Sequence, residues 1–388
     1  MNMVLPSPVL RAIAMLNDAG FEAYLVGGCV RDHLMGKSPF DWDITTSALP
    51  EQTLAVFADH RTIETGIRHG TITVILEDLA LEITTYRVDG EYSDGRHPDS
   101  VAFSPSLAED LRRRDFTMNA IAFHPIDGFI DPFGGREDIQ NSVIRCVGDP
   151  MKRFTEDSLR ILRGLRFAAT LGFSIERETA SAIHQLAATL ERVSVERITA
   201  EFKRLICGNF SADILGRFHD VITVFLPEWE MESIDERFNA LPNSSRMRLA
   251  ALFRQAYVSS ETAENAMRRL KLDTQTIREV SALLVDYDFE SYDDTSILRL
   301  LNRFGTELIF DYFLLISVQE ATVLRTHELI HSGACFSIAA LAVNGCDLLE
   351  YGISPGPAIG EALEHLLEAV ICGQCANTKN DLIDYLKK

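Results

Sequence analysis

Two glycines and two aspartates near the N-terminus have the residue types and spacing that phosphate chemistry requires. Gly27 and Gly28 end an apolar, strand-like stretch, and Asp41 and Asp43 open the next one. Side chains alternate along a strand, so the two carboxylates are predicted to point to one face. Carboxylate oxygens suit Mg²⁺, and glycines leave backbone N–H groups free to bind phosphates. The pattern predicts a metal-dependent phosphoryl or nucleotidyl transfer site.

Each half of this pattern is common by itself. A glycine pair before a helix is also typical of a simple turn, and an Asp-x-Asp pair is also typical of a solvated strand end. Their combination favours the chemical interpretation. Glu82 lies in the strand-like run 81–86, where an apolar residue would suit a core face better. It is predicted either as a third metal ligand or as an outward-facing strand residue.

A second cluster of polar residues occupies positions 112–120. Arg114 is the last of three consecutive arginines, which are also typical of a solvated helix start. Asp115 and Asn119 are four residues apart, so they are predicted to share one face of a helix with a guanidinium just upstream. This arrangement suits a ribose hydroxyl and a phosphate together.

The stretch 153–167 carries residues that could distinguish bases. Asp157 and Arg160 are predicted to project side by side from one helix, with Arg163 continuing the row and Glu156 holding Arg160. An ordinary intrahelical ion pair, worth only ~0.3–0.5 kcal/mol, would show the same spacing. However, cytosine and adenine each present an amino donor beside a ring-nitrogen acceptor, whereas uracil and guanine present the reverse. An aspartate acceptor beside an arginine donor therefore matches C and A and rejects U and G.

The elements that must position these residues alternate between strands and helices in the first part of the chain. Apolar, β-branched runs at 71–76 and 81–86 predict two strands joined by residues 77–80. Further short apolar runs at 120–124 and 143–147 are predicted to close the same sheet. From residue 149 onward the apolar spacing is helical almost to the end. The predicted fold class is α+β, a mixed sheet followed by helices.

The composition sets further bounds. A chain of 388 residues is long enough for about two to four compact units. No apolar run reaches the ~20 residues that a membrane helix needs, and the N-terminal helix pattern is interrupted by polar residues. A cytoplasmic protein without a membrane partner is therefore predicted.

The charge is strongly acidic, but it is unevenly distributed. The whole chain has a net charge of −20, whereas residues 151–210 have 10 Lys and Arg against 7 Asp and Glu. Phosphate contacts require basic side chains. If the partner is a nucleic acid, its phosphates are predicted to run along this middle stretch.

Two other motifs are weaker. The seven cysteines do not form a disulfide-like pattern, and Cys372 and Cys375 form a single CxxC. Two half-buried thiols are favoured there over a zinc or redox site. His219-Asp220 could belong to a metal phosphohydrolase, but no further histidines lie at suitable positions, and the pair is interpreted as incidental.

Five motifs, in this order and spacing, resemble those of class II tRNA nucleotidyltransferases, the CCA-adding enzymes. They cover about residues 20–205, and the segment 343–360 is similar to the tail of the bacterial, Bacillus-like members. The motifs are Gly27-Gly28-x-Val-Arg-Asp with Asp41-x-Asp43, Arg113-Arg114-Asp115-Phe-Thr-x-Asn119-Ala, Asp131-Pro-Phe-Gly-Gly135, Glu156-Asp157-x-x-Arg160, and Ser194-Val-Glu196-Arg197-Ile-x-x-Glu201.

The resemblance implies a role for each motif. Asp41 and Asp43 would bind two catalytic Mg²⁺ ions, with CTP and ATP as substrates. The residues near the triphosphate would be Gly27, Gly28 and Arg31. The residues near the sugar and phosphates would be Arg114, Asp115 and Asn119. The protein template that selects the base would comprise Glu156, Asp157 and Arg160, with Arg163 beside them. Asp94 and Arg96 would belong to a flexible loop.

The resemblance also implies an architecture and a partner. Members have a polymerase-β-like nucleotidyltransferase head followed by an all-helical neck, body and tail. In this chain these would be residues 1–148, 149–208, 209–325 and 326–388, with a hinge at 131–135. The tRNA acceptor stem would lie on head and neck and the elbow on the tail. The pattern leaves open whether the protein is a monomer or a dimer.

Two departures from the family pattern stand out. Phe40 occupies a position where a basic residue often precedes the first aspartate, and Arg96-His97-Pro98 replaces the usual Arg-Arg-Pro of the loop. Neither removes a metal ligand or a base reader. The loop has its full length, and in the family its loss accompanies enzymes that stop after CC. The chain is therefore predicted to add the final A.

Three alternatives remain at this stage. An enzyme that adds only the terminal A would share both the loop and the template. A bacterial poly(A) polymerase would share the head, but such enzymes tend to have a long basic C-terminal extension, and residues 211–388 are acidic here. An RNA-binding scaffold would be favoured by a broken metal or template motif, and both motifs are intact.

Overall fold

The structure is a computed structural model that describes residues 3–89, 101–231, 233–235, 237–287, 289 and 291–387. It divides into two compact units. The first comprises Met1–Arg248 and Ala266–Leu272, and the second comprises Leu249–Asn265 and Asp273–Lys388. The predicted four-part division into head, neck, body and tail stays a prediction.

A mixed seven-stranded sheet, in the order β3-β4-β5-β2-β1-β8-β9, forms the scaffold of the first unit. Neighbours are antiparallel except for β2 and β5, which are parallel. The sheet followed by helices confirms the predicted α+β class. The strands of the described chain are β1 (Ala23–Val26), β2 (Asp43–Thr46), β3 (Arg61–Ile63), β4 (Thr71–Leu76), β5 (Leu79–Thr85), β6 (Arg87–Asp89), β7 (Val101–Phe103), β8 (Ala122–His124), β9 (Gly128–Ile130), β10 (Val143–Ile144) and β11 (Ser174–Ile175).

The connection between β4 and β5 is tighter than the sequence suggested. Leu76 pairs directly with Leu79, so only Glu77 and Asp78 form the turn. Both have positive φ, 48° and 66°, as a two-residue hairpin matched to strand twist requires. On its other side β5 pairs with β2, and there Glu82 lies directly beside Asp43.

Of the two runs predicted to close the large sheet, 120–124 does so through β8, which pairs with β1. The run at 143–147 does not, and that part of the prediction is wrong. Its strand, β10, pairs in parallel with β11 in a separate two-stranded sheet. Ile144 is fully buried there. A buried apolar run reports that the segment lies in a core, but it does not report which strand is its neighbour.

The helices of the first unit pack against the sheet and against one another. Gly20 follows the first helix with φ +87°, a conformation that favours glycine and ends the helix. Helices α7 and α9 form an extensive buried contact, with Leu162, Leu165 and Phe202 in the core. The helices are α1 (Ser7–Asp18), α2 (Gly28–Leu34), α3 (Pro50–Val56), α4 (Leu107–Arg112), α5 (Gly135–Gln140), α6 (Pro150–Glu156), α7 (Leu159–Leu171), α8 (Arg177–Leu186), α9 (Val195–Ile206), α10 (Ser211–Arg217), α11 (His219–Ile222) and α12 (Arg237–Ala240).

The rest of the chain is helical, as predicted. One core cluster of the second unit contains Val343, Leu348, Leu366 and Leu382. None of the helices in the described ranges is long and apolar enough to span a membrane. The remaining helices are α13 (Ser245–Gln255), α14 (Ser260–Arg269), α15 (Thr274–Leu283), α16 (Asp294–Ile316), α17 (Glu320–His331), α18 (Gly345–Tyr351), α19 (Pro357–Ile371) and α20 (Lys379–Tyr385).

The two weaker motifs have local partners. Cys372 and Cys375 are both half-buried free thiols, as interpreted, and the Cys372 thiol donates to Glu368 at 3.2 Å. Asp220 accepts from His184 Nδ1 at 2.8 Å, while His219 bonds the Trp229 carbonyl at 3.2 Å. The His219–Asp220 pair is thus bonded to α8 and to the segment around Trp229.

Candidate nucleotide-binding site

Asp43 is the central carboxylate of the site. It is the first residue of β2, beside Glu82 of β5. Burial raises the pKa of Asp43 to about 6, the negative charges of Glu82 and Asp41 act in the same direction, and Arg114 opposes them. Asp41 lies in a bend just before β2, so only one of the two aspartates belongs to the strand. The three carboxylates are therefore electrostatically coupled, although strand alternation accounts for only part of their arrangement.

The donor set suits a divalent cation. Oxygen ligands and an excess of negative charge are what Mg²⁺ requires, and a cation would offset the repulsion that raises the pKa of Asp43. Within the described part of the chain, no group of three or more His, Cys, Asp or Glu residues is arranged to hold a metal ion. Glu82 is exposed on its strand. Its role as a third ligand stays a prediction, and Asp41 and Asp43 are the residues that would hold the ion.

Gly27 allows a guanidinium and a carboxylate to approach the backbone. Its φ of +76° strongly favours glycine. A Cβ at this position would lie 3.3 Å from Arg114 Nη1 and 3.6 Å from Asp43 Oδ2. Gly28 begins α2, and a Cβ there would lie 3.7 Å from Arg31 Nη2. The glycine pair therefore lies beside Asp43 and two arginines, which suits a phosphate-binding turn.

The arginine run lies at the end of a helix, and the suggested helix start is wrong. Helix α4 finishes at Arg112, and Arg113 is its C-terminal cap. Asp110, one turn earlier, accepts hydrogen bonds from Arg113 Nε at 2.9 Å and from Arg114 Nη2 at 3.2 Å. The sequence interpretation did not assign Asp110 a role. An acidic residue three and four positions before two arginines was the available signal.

Asp115 and Asn119 belong to a chain of hydrogen bonds that connects α2 to α7. Arg31 Nη1 donates to Asn119 Oδ1 at 2.8 Å, and Asn119 Nδ2 donates to Asp115 Oδ1 at 3.1 Å. Arg163 donates from Nε and Nη2 to Asp115 Oδ2 at 2.8 and 2.7 Å. Three segments that are distant in sequence thus share one polar network.

The predicted pairing of Asp115 with Asn119 is present, but its helical basis is wrong. Asp115 precedes a short 3₁₀ helix, Thr117–Asn119, and its carboxylate also accepts from the Phe116 backbone N–H at 2.8 Å. A buried carboxylate that turns back to its own backbone competes with helix formation. Burial would raise the pKa of Asp115, yet Arg163 and Asn119 hold it well below its ordinary value.

The base-selecting residues lie at a helix junction. Glu156 ends α6, Arg160 lies in the first turn of α7, and Asp157 lies between them with φ −143°. The prediction that Asp157 and Arg160 share one helix is therefore wrong. The Asp157 carboxylate accepts from the Leu159 backbone N–H at 3.1 Å, because aspartate favours capping over helix interiors.

Arg160 is held from several sides. Its Nη1 donates to Glu156 Oε2 at 3.0 Å, which confirms that Glu156 holds Arg160. Its Nη2 donates to the Arg113 carbonyl at 3.1 Å. Asp157 Oδ2 accepts from Arg197 Nη2 of α9 at 2.9 Å. The sequence interpretation gave Arg197 no role of its own, since a contact over 40 residues leaves no local spacing signal.

Three family descriptions match successive segments of this chain. The family description "Poly A polymerase head domain" matches residues 23–145. "Probable RNA and SrmB- binding site of polymerase A" matches residues 172–230, and "tRNA nucleotidyltransferase domain 2 putative" matches residues 241–386. Proteins named CCA-adding enzyme are 34% identical in Leuconostoc mesenteroides, covering 97% of this chain and 94% of the relative, and 37% identical in Enterococcus faecalis, covering 98% and 95%.

The chain belongs to the CCA-adding enzyme family. The crystal structure of the Bacillus stearothermophilus CCA-adding enzyme in complex with CTP is similar, with a TM-score of 0.84 and 34% identity over 99% of this chain and 98% of that one. The head followed by helices is thus the family fold. Asp94 and Arg96 of the predicted loop lie outside the described residues, so the structure does not place these two members of the family pattern.

Proposed function

We propose that this protein adds C, C and A in sequence to the 3′ end of tRNA, using CTP and ATP and no nucleic-acid template. The observation that carries the proposal is a polar network in which Arg163 donates to the Asp115 carboxylate and Arg160 donates to the Arg113 backbone carbonyl. Within the first compact unit, this network connects the candidate phosphate site at the glycine pair to the candidate base-selecting residues at the α6–α7 junction. Relatives named for CCA addition match almost the whole chain, which supports the same activity here.

The metal in this proposal is Mg²⁺, held by Asp41 and Asp43 in a two-ion site. When bound, the ions would supply charge stabilisation for the transferring phosphate and lower the pKa of the primer 3′ hydroxyl. The protein contributes the carboxylates of Asp41, which is exposed, and of Asp43, which is half-buried beside Glu82. The guanidinium of Arg114, which lies close to Gly27, partly balances the negative charge of Asp43.

The nucleotide in this proposal is bound in two parts. The triphosphate lies against Gly27 and Gly28, with Arg31 and Arg114 as the cations. The ribose is recognised near Asn119, whose orientation is set by Arg31 and Asp115. These contacts do not depend on the base, so CTP and ATP share them.

The base in this proposal is read by Asp157 and Arg160. Arg197 and the α7 backbone orient the carboxylate, and Glu156 together with the Arg113 carbonyl orients the guanidinium. A side-chain acceptor beside a side-chain donor is complementary to the edges of C and A. Arg163, bound to Asp115, connects this pair to the ribose side.

Stepwise transcript assays test the proposal. The full chain is incubated with tRNA transcripts that end before CC, after C and after CC, with CTP or ATP alone and with Mg²⁺. We expect CTP incorporation on the first two, ATP incorporation on the third, and no incorporation after chelation by EDTA. Incorporation of ATP without any CTP incorporation would assign an A-only enzyme, and binding without incorporation would assign a scaffold.

The length of the products distinguishes CCA addition from poly(A) synthesis. Residues 211–388 have 15 Lys and Arg against 27 Asp and Glu, which disfavours processive contact with a long RNA. We expect the products to stop after one A even with excess ATP. Long A tails would instead assign a polymerase. A tRNA substrate also favours the predicted cytoplasmic location.

A further inference from the structure

Asp110 is a buried carboxylate that accepts hydrogen bonds from residues beside the candidate nucleotide site. Its side chain has no solvent exposure. It accepts from Arg113 Nε at 2.9 Å, from Arg114 Nη2 at 3.2 Å and from Thr45 Oγ1 at 3.1 Å. Thr45 lies two residues after Asp43 on β2, so both side chains are on one face of the sheet. Asp110 therefore connects the end of α4 to β2, the strand that begins with the candidate metal ligand Asp43.

The charge balance around Asp110 keeps it ionised. Burial raises the pKa of its carboxyl group, but the guanidinium groups of Arg114 and Arg113 outweigh burial and hold the pKa below its ordinary value. A buried anion restrains the two cations beside it, because charge-assisted hydrogen bonds are strong and directional. The two arginines are thus held as a unit.

Arg114 is held in one orientation. Nη2 is bonded to Asp110, while Nη1 lies where a Cβ on Gly27 would be 3.3 Å away. Its Nε is buried and has no hydrogen-bond partner among the described residues. The planar guanidinium fixes the angle between Nη1 and Nη2, so a bond at one nitrogen sets the direction of the other. Asp110 therefore determines where Arg114 meets the backbone of the glycine turn.

We propose that Asp110 is a positioning residue for nucleotide binding, which holds Arg114 against Gly27 so that a triphosphate meets a preformed cation. The proposal rests on the function proposed above, and it adds a residue that touches neither the nucleotide nor the metal ligands. Preorganisation of this kind lowers the ordering cost that would otherwise weaken binding. Since Arg114 would face the phosphates, the effect does not depend on the base.

Asp138 provides a matched control for burial. It is also buried, accepts from Thr117 Oγ1 at 2.6 Å, and accepts from Arg145 Nε at 3.2 Å. Its partner, Arg145, lies directly after β10 and not at the glycine turn. Asp138→Asn therefore removes a comparable buried charge without acting on Arg114.

The test compares Asp110→Asn, Asp110→Glu and Asp138→Asn in the full chain. Binding of CTP and of ATP with Mg²⁺ is measured by titration calorimetry without tRNA, and KM and kcat are measured on a transcript that accepts each nucleotide. We expect Asp110→Asn to weaken both nucleotides by the same factor, about tenfold, as for loss of a charged hydrogen bond. Asp110→Glu is expected to restore part of the affinity, and Asp138→Asn to lower Tm similarly with unchanged affinity.

The outcomes separate this proposal from the proposed function. Unchanged nucleotide affinity in Asp110→Asn, or an equal loss in Asp138→Asn, would overturn the positioning role. If Asp110→Asn does not fold, Thr45→Val, which removes one hydrogen bond to Asp110, replaces it with a smaller expected loss of affinity. If the wild type binds CTP but adds nothing to tRNA, the proposed function fails while the calorimetric comparison still decides the role of Asp110.

Discussion

Asp115 accepts two hydrogen bonds from Arg163, 48 residues further along the chain, with Nε and Nη2 at 2.8 and 2.7 Å from the same oxygen. Its other oxygen accepts from Asn119 and from the Phe116 backbone. The carboxylate therefore joins the segment after α4 to α7. In the proposed function, Asp115 acts at the nucleotide sugar together with Asn119, because its carboxylate accepts from Asn119 Nδ2 and orients that amide.

The Asp115 ion pair predicts a pH-dependent stability. Asp115→Asn should lower the free energy of unfolding at pH 7 by about 1–3 kcal/mol, less than for a fully buried pair because the Arg163 side chain is 34% exposed. The folded state holds the pKa of Asp115 below its ordinary value of ~3.9. Its stabilisation is therefore complete above that value and is lost as the pH falls through the lower folded pKa.

Urea unfolding at several pH values measures this effect. The difference between wild type and Asp115→Asn should be constant near neutral pH and shrink below about pH 4. The double variant Asp115→Asn with Arg163→Met should lose less than the sum of the single variants, since it leaves no unpaired partner. A pH-independent difference would mean that the carboxylate charge is not what stabilises the fold.

The division between chemistry and base selection predicts two kinds of variant. Asp157→Ala or Arg160→Ala should relax discrimination against UTP by roughly 10- to 100-fold, the value of a bidentate base contact. Asp41→Ala or Asp43→Ala should abolish transfer of every nucleotide. Single-nucleotide incorporation with CTP, ATP and UTP measures both effects.

Asp149→Ala is the control for the base-selecting variants. Asp149 caps α6 at its far end, where it accepts from the Met151 backbone N–H at 2.9 Å. Its loss should lower stability by about 1 kcal/mol and leave base selection intact. Wild-type selectivity in both the Asp157 and the Arg160 variant would rule out the pairing of these side chains with the base edge.

The glycine turn predicts a base-independent loss of affinity. Gly27→Ala would place a Cβ 3.3 Å from Arg114 Nη1 at a φ of +76°, so KM for CTP and ATP should rise together, roughly tenfold. Gly36→Ala is the matched control, because its φ is +72° and its Cβ would have no atom within 4 Å. Steady-state kinetics and Tm of both variants separate strain from crowding. Equal KM changes in the two would argue against a crowded site at Gly27.

Deleting the loop after β6 is expected to impair one step of the reaction, the addition of A. Deleting residues 91–98, which include Asp94 and Arg96, should leave CC addition and impair A addition, as the family resemblance implies. The segment lies outside the described residues, so this expectation rests on the sequence alone. The measurement is the ratio of A addition to CC addition on matched transcripts. An unchanged ratio would remove the loop from the switch between C and A.

The fold class followed from the sequence alone. Motif spacing singled out Gly27, Asp43 and Arg160 as candidate site residues, and apolar periodicity separated the sheet from the helices, because residue types and local spacing carry that information. The change of period near residue 149 also predicted where the strands give way to helices.

Which side chains hold the candidate site residues in place depends on tertiary packing. Asp157 lies outside both helices, β10 joins a small separate sheet, and Asp110 holds Arg114 at the glycine turn. The Asp115–Arg163 and Asp157–Arg197 contacts join residues 48 and 40 positions apart. Such contacts depend on how helices and strands pack around a shared core, and packing between distant segments leaves no periodic trace in the chain.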